Sequence, residues 1–222
     1  MNSRINIISL LTLGICCLTF AQAAEAANRW ESTIRKFEKL DRENPPDKGG
    51  ILFVGSSSIV LWDVDKSFPK LLVINRGFGG SQIADSIHFA DRIVLPYRPR
   101  TIVFYAGDND LAAGKSVETV ADDYRRFVKT VHAELPKTRI LYVAIKPCIA
   151  RWKLIDKVRK ANKLIRAETE KDQRLVFIDI DPPMIGADGK PRAELFKKDG
   201  LHLNEKGYRL WNGMVQPLLE RP

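Results

Sequence analysis

The chain has 222 residues, of which 45% are hydrophobic and 28% charged. That balance describes a globular domain with a sizeable core, and it excludes a disordered, collagen-like or disulfide-stapled chain. The formal charge of +9 comes from lysines and arginines interleaved with Asp and Glu, most densely at Arg151, Lys153, Lys157, Arg159, Lys160, Lys163 and Arg166. Such a run reads as a solvated helix face with a general pull toward anionic surfaces. No nucleic-acid-binding module accompanies it, so the expected partners exclude nucleic acid and favour an acidic envelope polymer or a lipid headgroup.

Residues 1–23 read as a secretory signal peptide. Arg4 supplies a positive start, Ile5 to Phe20 an apolar stretch, and Ala21-Gln22-Ala23 a small-x-small cleavage site, with Ala24-Glu25-Ala26 second. A retained anchor is the alternative. Ile15 before Cys16 does not suit lipoprotein processing. Cleavage would remove Cys16 and Cys17 and leave Cys148 alone, so an internal disulfide is not expected. The expected location is periplasmic or secreted, with no integral membrane span after cleavage.

Residues 24–48 form an N-terminal helix and linker, and residues 49–222 the main domain. Trp30, Ile34, Phe37 and Leu40 make one helical stripe that Asn44-Pro45-Pro46 ends. This helix is expected on the outside of the domain and without chemistry. Strand-like runs follow at Ile51–Val54, Leu71–Ile74, Thr101–Tyr105, Arg139–Ile145 and Arg174–Ile178. Helical patterns lie at Gln82–Val94, capped by Ser81 and closed by Pro96, then at Ser116–Leu135, Trp152–Thr169 and Asn204–Leu219. This alternation implies a three-layer α/β/α sandwich on a central parallel sheet of about five strands. In such sheets ligands bind beyond the carboxyl ends of the strands.

Four short stretches stand at those ends. Gly55-Ser56-Ser57 leaves the first strand for a helical turn, where free N–H groups and the positive helix end gather. Read alone, a serine there is a helix cap. Gly77-Phe78-Gly79-Gly80 follows the second strand. Its pattern is neither a dinucleotide fingerprint nor a P-loop. Gly107-Asp108-Asn109-Asp110 follows the third strand, and Asn109 offers an amide donor that does not titrate. Asp108 and Asp110 could be metal ligands, but no histidine lies near them in sequence. Asp199-Gly200-Leu201-His202 precedes the last helix and pairs a carboxylate with an imidazole three residues on. His88 and His132 sit within helical patterns as ordinary, partly exposed residues. Cys148 reads as a small apolar filler near the pocket rim, and Asp179 and Asp181 are fallback carboxylates for His202. Together the four stretches supply a nucleophile, two separate oxyanion donors and an Asp–His base, the parts of an acyl-transfer site.

These residues resemble the SGNH (GDSL) hydrolases over roughly residues 50 to 215, with the motifs in family order. The resemblance implies a flavodoxin-like sheet, Ser57 as nucleophile, and Asp199 and His202 as its partners. It implies an oxyanion hole from Ser57, Gly80 and Asn109. Ser56 departs from the family, which usually has aspartate there, and is expected to bond within the turn instead. The α/β-hydrolase elbow does not fit, because Ile59 occupies its second glycine position.

The expected function is hydrolysis of carboxylic, acyl or acetyl, esters through an acyl-enzyme, with no metal or organic cofactor. The resemblance implies esterase, lysophospholipase, thioesterase or carbohydrate O-deacetylase activity on a small-molecule, lipid or glycan ester. The absence of a lid-like apolar insertion favours small acyl groups. The alternative class is a non-catalytic envelope module that binds glycans or anions.

Overall fold

The structure is a computed structural model that describes residues 29–220. The signal-peptide expectation for residues 1–23 lies outside them. Five strands, β1 (Ile51–Gly55), β2 (Val73–Gly77), β3 (Thr101–Tyr105), β4 (Arg139–Val143) and β5 (Leu175–Ile178), form one parallel sheet in the order β2-β1-β3-β4-β5. All-parallel sheets need both faces covered, and the central strands show how this is met. On β1, Leu52 and Val54 enter one apolar cluster, whereas Ile51 and Phe53 enter the other.

The first cluster lies under α1 (residues 29–43), α4 (Ile83–His88), α5 (Ala90–Ile93), α7 (Val117–Glu134) and α8 (Ile155–Thr169). The second lies under α2 (Ser57–Val60), α3 (Val64–Ser67), α9 (Asp181–Met184) and α10 (Glu205–Leu219). A further short helix, α6 (Asp108–Ala112), begins at the end of β3. The three-layer sandwich is therefore as expected, and β1 beside β3 is the point where the strand order reverses. The crevice outside such a switch point is where doubly wound sheets bind ligands. Ser57 follows β1 and Asn109 follows β3, so the two flank it.

Several boundaries differ from expectation. The second strand starts at Val73 and runs on to Gly77 rather than spanning Leu71–Ile74, because Leu72 faces solvent and the polar Asn75 and Arg76 find tertiary partners. Asn75 donates to the carbonyls of Ile59 and Trp62, and Arg76 bonds Asp41 and Tyr97. The Gln82–Val94 helix is two short helices broken at Phe89. Its cap is Gln82, in a capping box with Asp85, and not Ser81. Before α8, residues Ile149–Leu154 form a 3-10 turn, so Trp152 belongs to the approach and not to the helix. Leu40 is 54% exposed, and the buried stripe of α1 ends at Phe37.

Gly55 is required where it stands. A Cβ there would lie 1.9 Å from the Tyr105 carbonyl oxygen, and its φ is +135°. That close approach brings the end of β1 against β3, and the Ser56 N–H donates to the same carbonyl at 3.0 Å.

Candidate active site

Ser57 opens α2 directly after β1, and in this short turn the Ile59 and Val60 N–H groups close back on the Ser56 carbonyl. The Ser56 hydroxyl is buried without a partner among the described residues, which corrects the expectation that it bonds within the turn. Tyr208 of α10 donates to the Ser58 carbonyl at 2.9 Å, tying the last helix to the one that bears the serine.

The Asp199–His202 segment is a closed turn. One Asp199 carboxylate oxygen accepts from the N–H groups of Leu201 and His202, each at 2.9 Å. Its other oxygen lies 2.7 Å from His202 Nδ1. The Asp199 carboxyl is held far below the usual range, first by the imidazole bond and then by those two N–H groups. His202 Nε2 in turn lies 3.1 Å from Ser57 Oγ. With the Nδ1 proton on the carboxylate side, Nε2 is left to accept from the hydroxyl. Residues 145 positions apart thus form one hydrogen-bonded line, Asp199 to His202 to Ser57.

The glycine-rich loop closes on the same serine. A Cβ on Gly79 would come within 3.7 Å of Ser57 Cβ, so this loop lies over Ser57. Gly80 has a φ of +81°, and a Cβ there would meet Arg29 and Trp30 at 3.4 Å. The helix expected to carry no chemistry therefore walls the glycine loop from behind. Its position is fixed by Arg92 bridging Glu31 and Glu38, and by Asp41 binding Arg76 and Tyr97. Asn109 donates one amide proton to the Ser81 carbonyl at 3.0 Å and accepts from Arg151 Nη2 at 2.9 Å.

Beneath the serine lies a polar cluster that the sequence did not announce. Lys146 is 2% exposed, and its Nζ reaches Ser58 Oγ at 3.0 Å and Tyr105 OH at 2.9 Å. Asp108 Oδ2 lies 3.5 Å from Lys146 Nζ and accepts from Arg151 Nη1 at 3.1 Å. Asp110 accepts from the Ile83 N–H and from Lys115. The two aspartates are thus engaged by cations, and the described residues contain no group of three or more His, Cys, Asp or Glu able to hold a metal. Asp179 pairs with Arg166 and Asp181 with Arg159, so neither fallback carboxylate serves His202. Cys148 is buried in the second apolar cluster, and burial raises its thiol above the ordinary value. Exposed His88 ends α4, while His132 bonds the Thr138 carbonyl.

The GDSL-like lipase/acylhydrolase family matches residues 62–210, a span that contains Gly80, Asn109, Asp199 and His202. The chain belongs to this family. It is accordingly a hydrolase acting on ester bonds. Among curated proteins it is 26% identical to the platelet-activating factor acetylhydrolase IB subunit alpha1 of Bos taurus over 199 residues, covering 86% of this chain and 82% of the relative. A GDSL-like lipase structure from Bacteroides thetaiotaomicron superposes with a TM-score of 0.71 at 18% identity, over 84% of this chain and 97% of that one. A mutant form of an acetyl-xylooligosaccharide esterase from Geobacillus Stearmophilus superposes with a TM-score of 0.64 at 13% identity, over 79% and 96% of the two chains. At such identities the structural likenesses speak to the fold. No helix among the described residues is long and apolar enough to cross a membrane.

Proposed function

We propose that this GDSL-family hydrolase is a serine esterase that removes short acyl groups, acetyl foremost, through an acyl-enzyme on Ser57. The observation that carries the reading is the unbroken line from Asp199 through His202 to Ser57 Oγ. Ser57 Oγ attacks the ester carbonyl carbon while its proton passes to His202 Nε2. The carbonyl oxygen becomes an oxyanion, held by the N–H groups of Ser57 and Gly80 and by the free amide proton of Asn109. As the bond to the leaving oxygen breaks, the imidazolium protonates that oxygen and the alcohol departs. Water then gives a proton to His202, attacks the acyl carbon and releases the acid, restoring Ser57. The balance needs no metal and no organic cofactor.

Two features support a short acyl group. Among the described residues, no long apolar insertion between the elements would cover a fatty tail. The relatives include an acetylhydrolase and an acetyl-ester-cleaving enzyme by name. Export through residues 1–23 would place the substrate in the envelope or outside the cell, as a lipid or glycan ester. The test is a fluorophosphonate label read by mass spectrometry, beside turnover of p-nitrophenyl acetate and longer esters. The adduct belongs on Ser57, and Ser57→Ala abolishes both signals. An adduct on Ser56 or Ser58 overturns the assignment. Absence of turnover in the wild type would leave an envelope-binding module.

A further inference from the structure

We propose that Arg151 is a positioning residue of the oxyanion hole, acting through Asn109; this rests on the reading of Asn109 as an oxyanion donor. A primary amide has one acceptor oxygen and two N–H donors. In Asn109 the oxygen accepts from Arg151 Nη2 at 2.9 Å, and one N–H donates to the Ser81 carbonyl at 3.0 Å. Two of the three groups are therefore fixed, and the remaining N–H is the one free to meet a developing oxyanion. A guanidinium offers only donors, so turning the amide over would set donor against donor. Arg151 thereby locks the one orientation in which Asn109 can serve.

The same contact polarises the amide. A cation on the carbonyl oxygen draws electron density from the nitrogen and strengthens its remaining N–H as a donor, in a site where low dielectric magnifies the effect. Arg151 is itself held at two points. Its other terminal nitrogen donates to Asp108 at 3.1 Å, and Asp108 is buried against Lys146. The backbone beside it is tied to the base, because the Ala150 N–H donates to the Gly200 carbonyl at 3.1 Å, inside the Asp199–His202 turn. A planar fork is needed to span Asp108 and Asn109 together, which a lysine ammonium cannot reproduce.

The experiment is a double-mutant cycle on p-nitrophenyl acetate with wild type, Arg151→Met, Asn109→Ala and the double variant, each checked by thermal melting. Asn109→Ala should lower kcat by about 10²–10³-fold, the usual cost of one oxyanion donor. Arg151→Met should lower kcat by roughly 10-fold or somewhat more, with KM within about two-fold, because an oriented donor matters mainly in the transition state. In the Asn109→Ala background the same change should cost less than about two-fold, since its route is already gone. Losses that multiply, or a loss confined to KM, overturn the proposal while leaving Asn109 as a donor. Near-normal turnover in Asn109→Ala instead overturns the oxyanion reading, and the proposal falls with it. If Arg151→Met is unfolded at the assay temperature, Arg151→Lys replaces it in the cycle. The same non-additivity is then expected, and multiplying losses overturn the idea equally.

Discussion

Trp30 packs edge-on against Phe78, their ring centroids 5.7 Å apart and their planes at 76°. This contact joins the first helix to the loop that carries Gly80, and so makes α1 the back wall of the proposed oxyanion hole. Gly80→Ala would force an alanine into a positive φ, a cost of roughly 1–2 kcal/mol, and press its methyl on Trp30 and Arg29. Trp30→Ala would remove the wall. Each should lower kcat on the order of ten-fold, within the range that a misplaced donor can cost. Unchanged kcat in both variants would detach α1 from the site.

Exhaustive chelation should leave the rate of p-nitrophenyl acetate turnover unchanged. Asp108 and Asp110 are the acidic residues nearest the proposed oxyanion donor in sequence, and Lys146, Arg151 and Lys115 already engage them. A divalent ion would have to displace those cations. Loss of activity in EDTA that a divalent ion restores would move the chemistry to metal-assisted hydrolysis.

Trp62 links the two helices that bring Ser57 and His202 together. Its ring contacts Phe53, Phe68, Tyr208 and Trp211, and its Nε1–H donates to Asn212 at 2.8 Å. Trp62→Ala should cost about 3–5 kcal/mol, seen as a fall in melting temperature on the order of ten degrees. Trp62→Phe keeps one aromatic ring but loses the Asn212 bond and part of the packing, so a smaller cost of about 1–3 kcal/mol is expected. Equal melting points for the two variants would show that packing at this position matters little.

What the sequence disclosed and what it hid divide along the range of the interactions. The strands were legible because apolar, β-branched runs between turn residues carry their own signal, and the Asp199–His202 pair because its partners are three residues apart. The edge strand β2 was misplaced, by two residues at its start and three at its end, because its polar half is justified by Asp41, Tyr97 and the α2–α3 segment, all distant in sequence. Arg151 stood in a basic run that reads as a solvated face, and nothing beside Lys146 in the sequence marked it as buried. Their partners Asp108 and Asn109 lie some forty residues away, and no local pattern marks which basic residue turns inward. Trp30 was recognised as apolar, but which loop it would wall was not written near it.

The pH dependence should report the imidazole and not the carboxylate. The Asp199 carboxyl is held far below its ordinary value by His202 and by two N–H groups, so it is already ionised throughout any practical assay range. A base must be neutral to take the Ser57 proton. The log of kcat/KM should therefore rise with unit slope as the imidazole loses its proton and then level off, measured against a buffer control for spontaneous hydrolysis. In Asp199→Asn the anion that stabilises imidazolium is gone, so the rising limb should move to lower pH. The plateau should fall as well, by up to about 10⁴-fold, because an amide no longer secures the tautomer with its proton on Nδ1. A wild-type profile flat from about pH 5 to 8 would show that no imidazole acts as the base, and the Ser57–His202–Asp199 line would then be structural only.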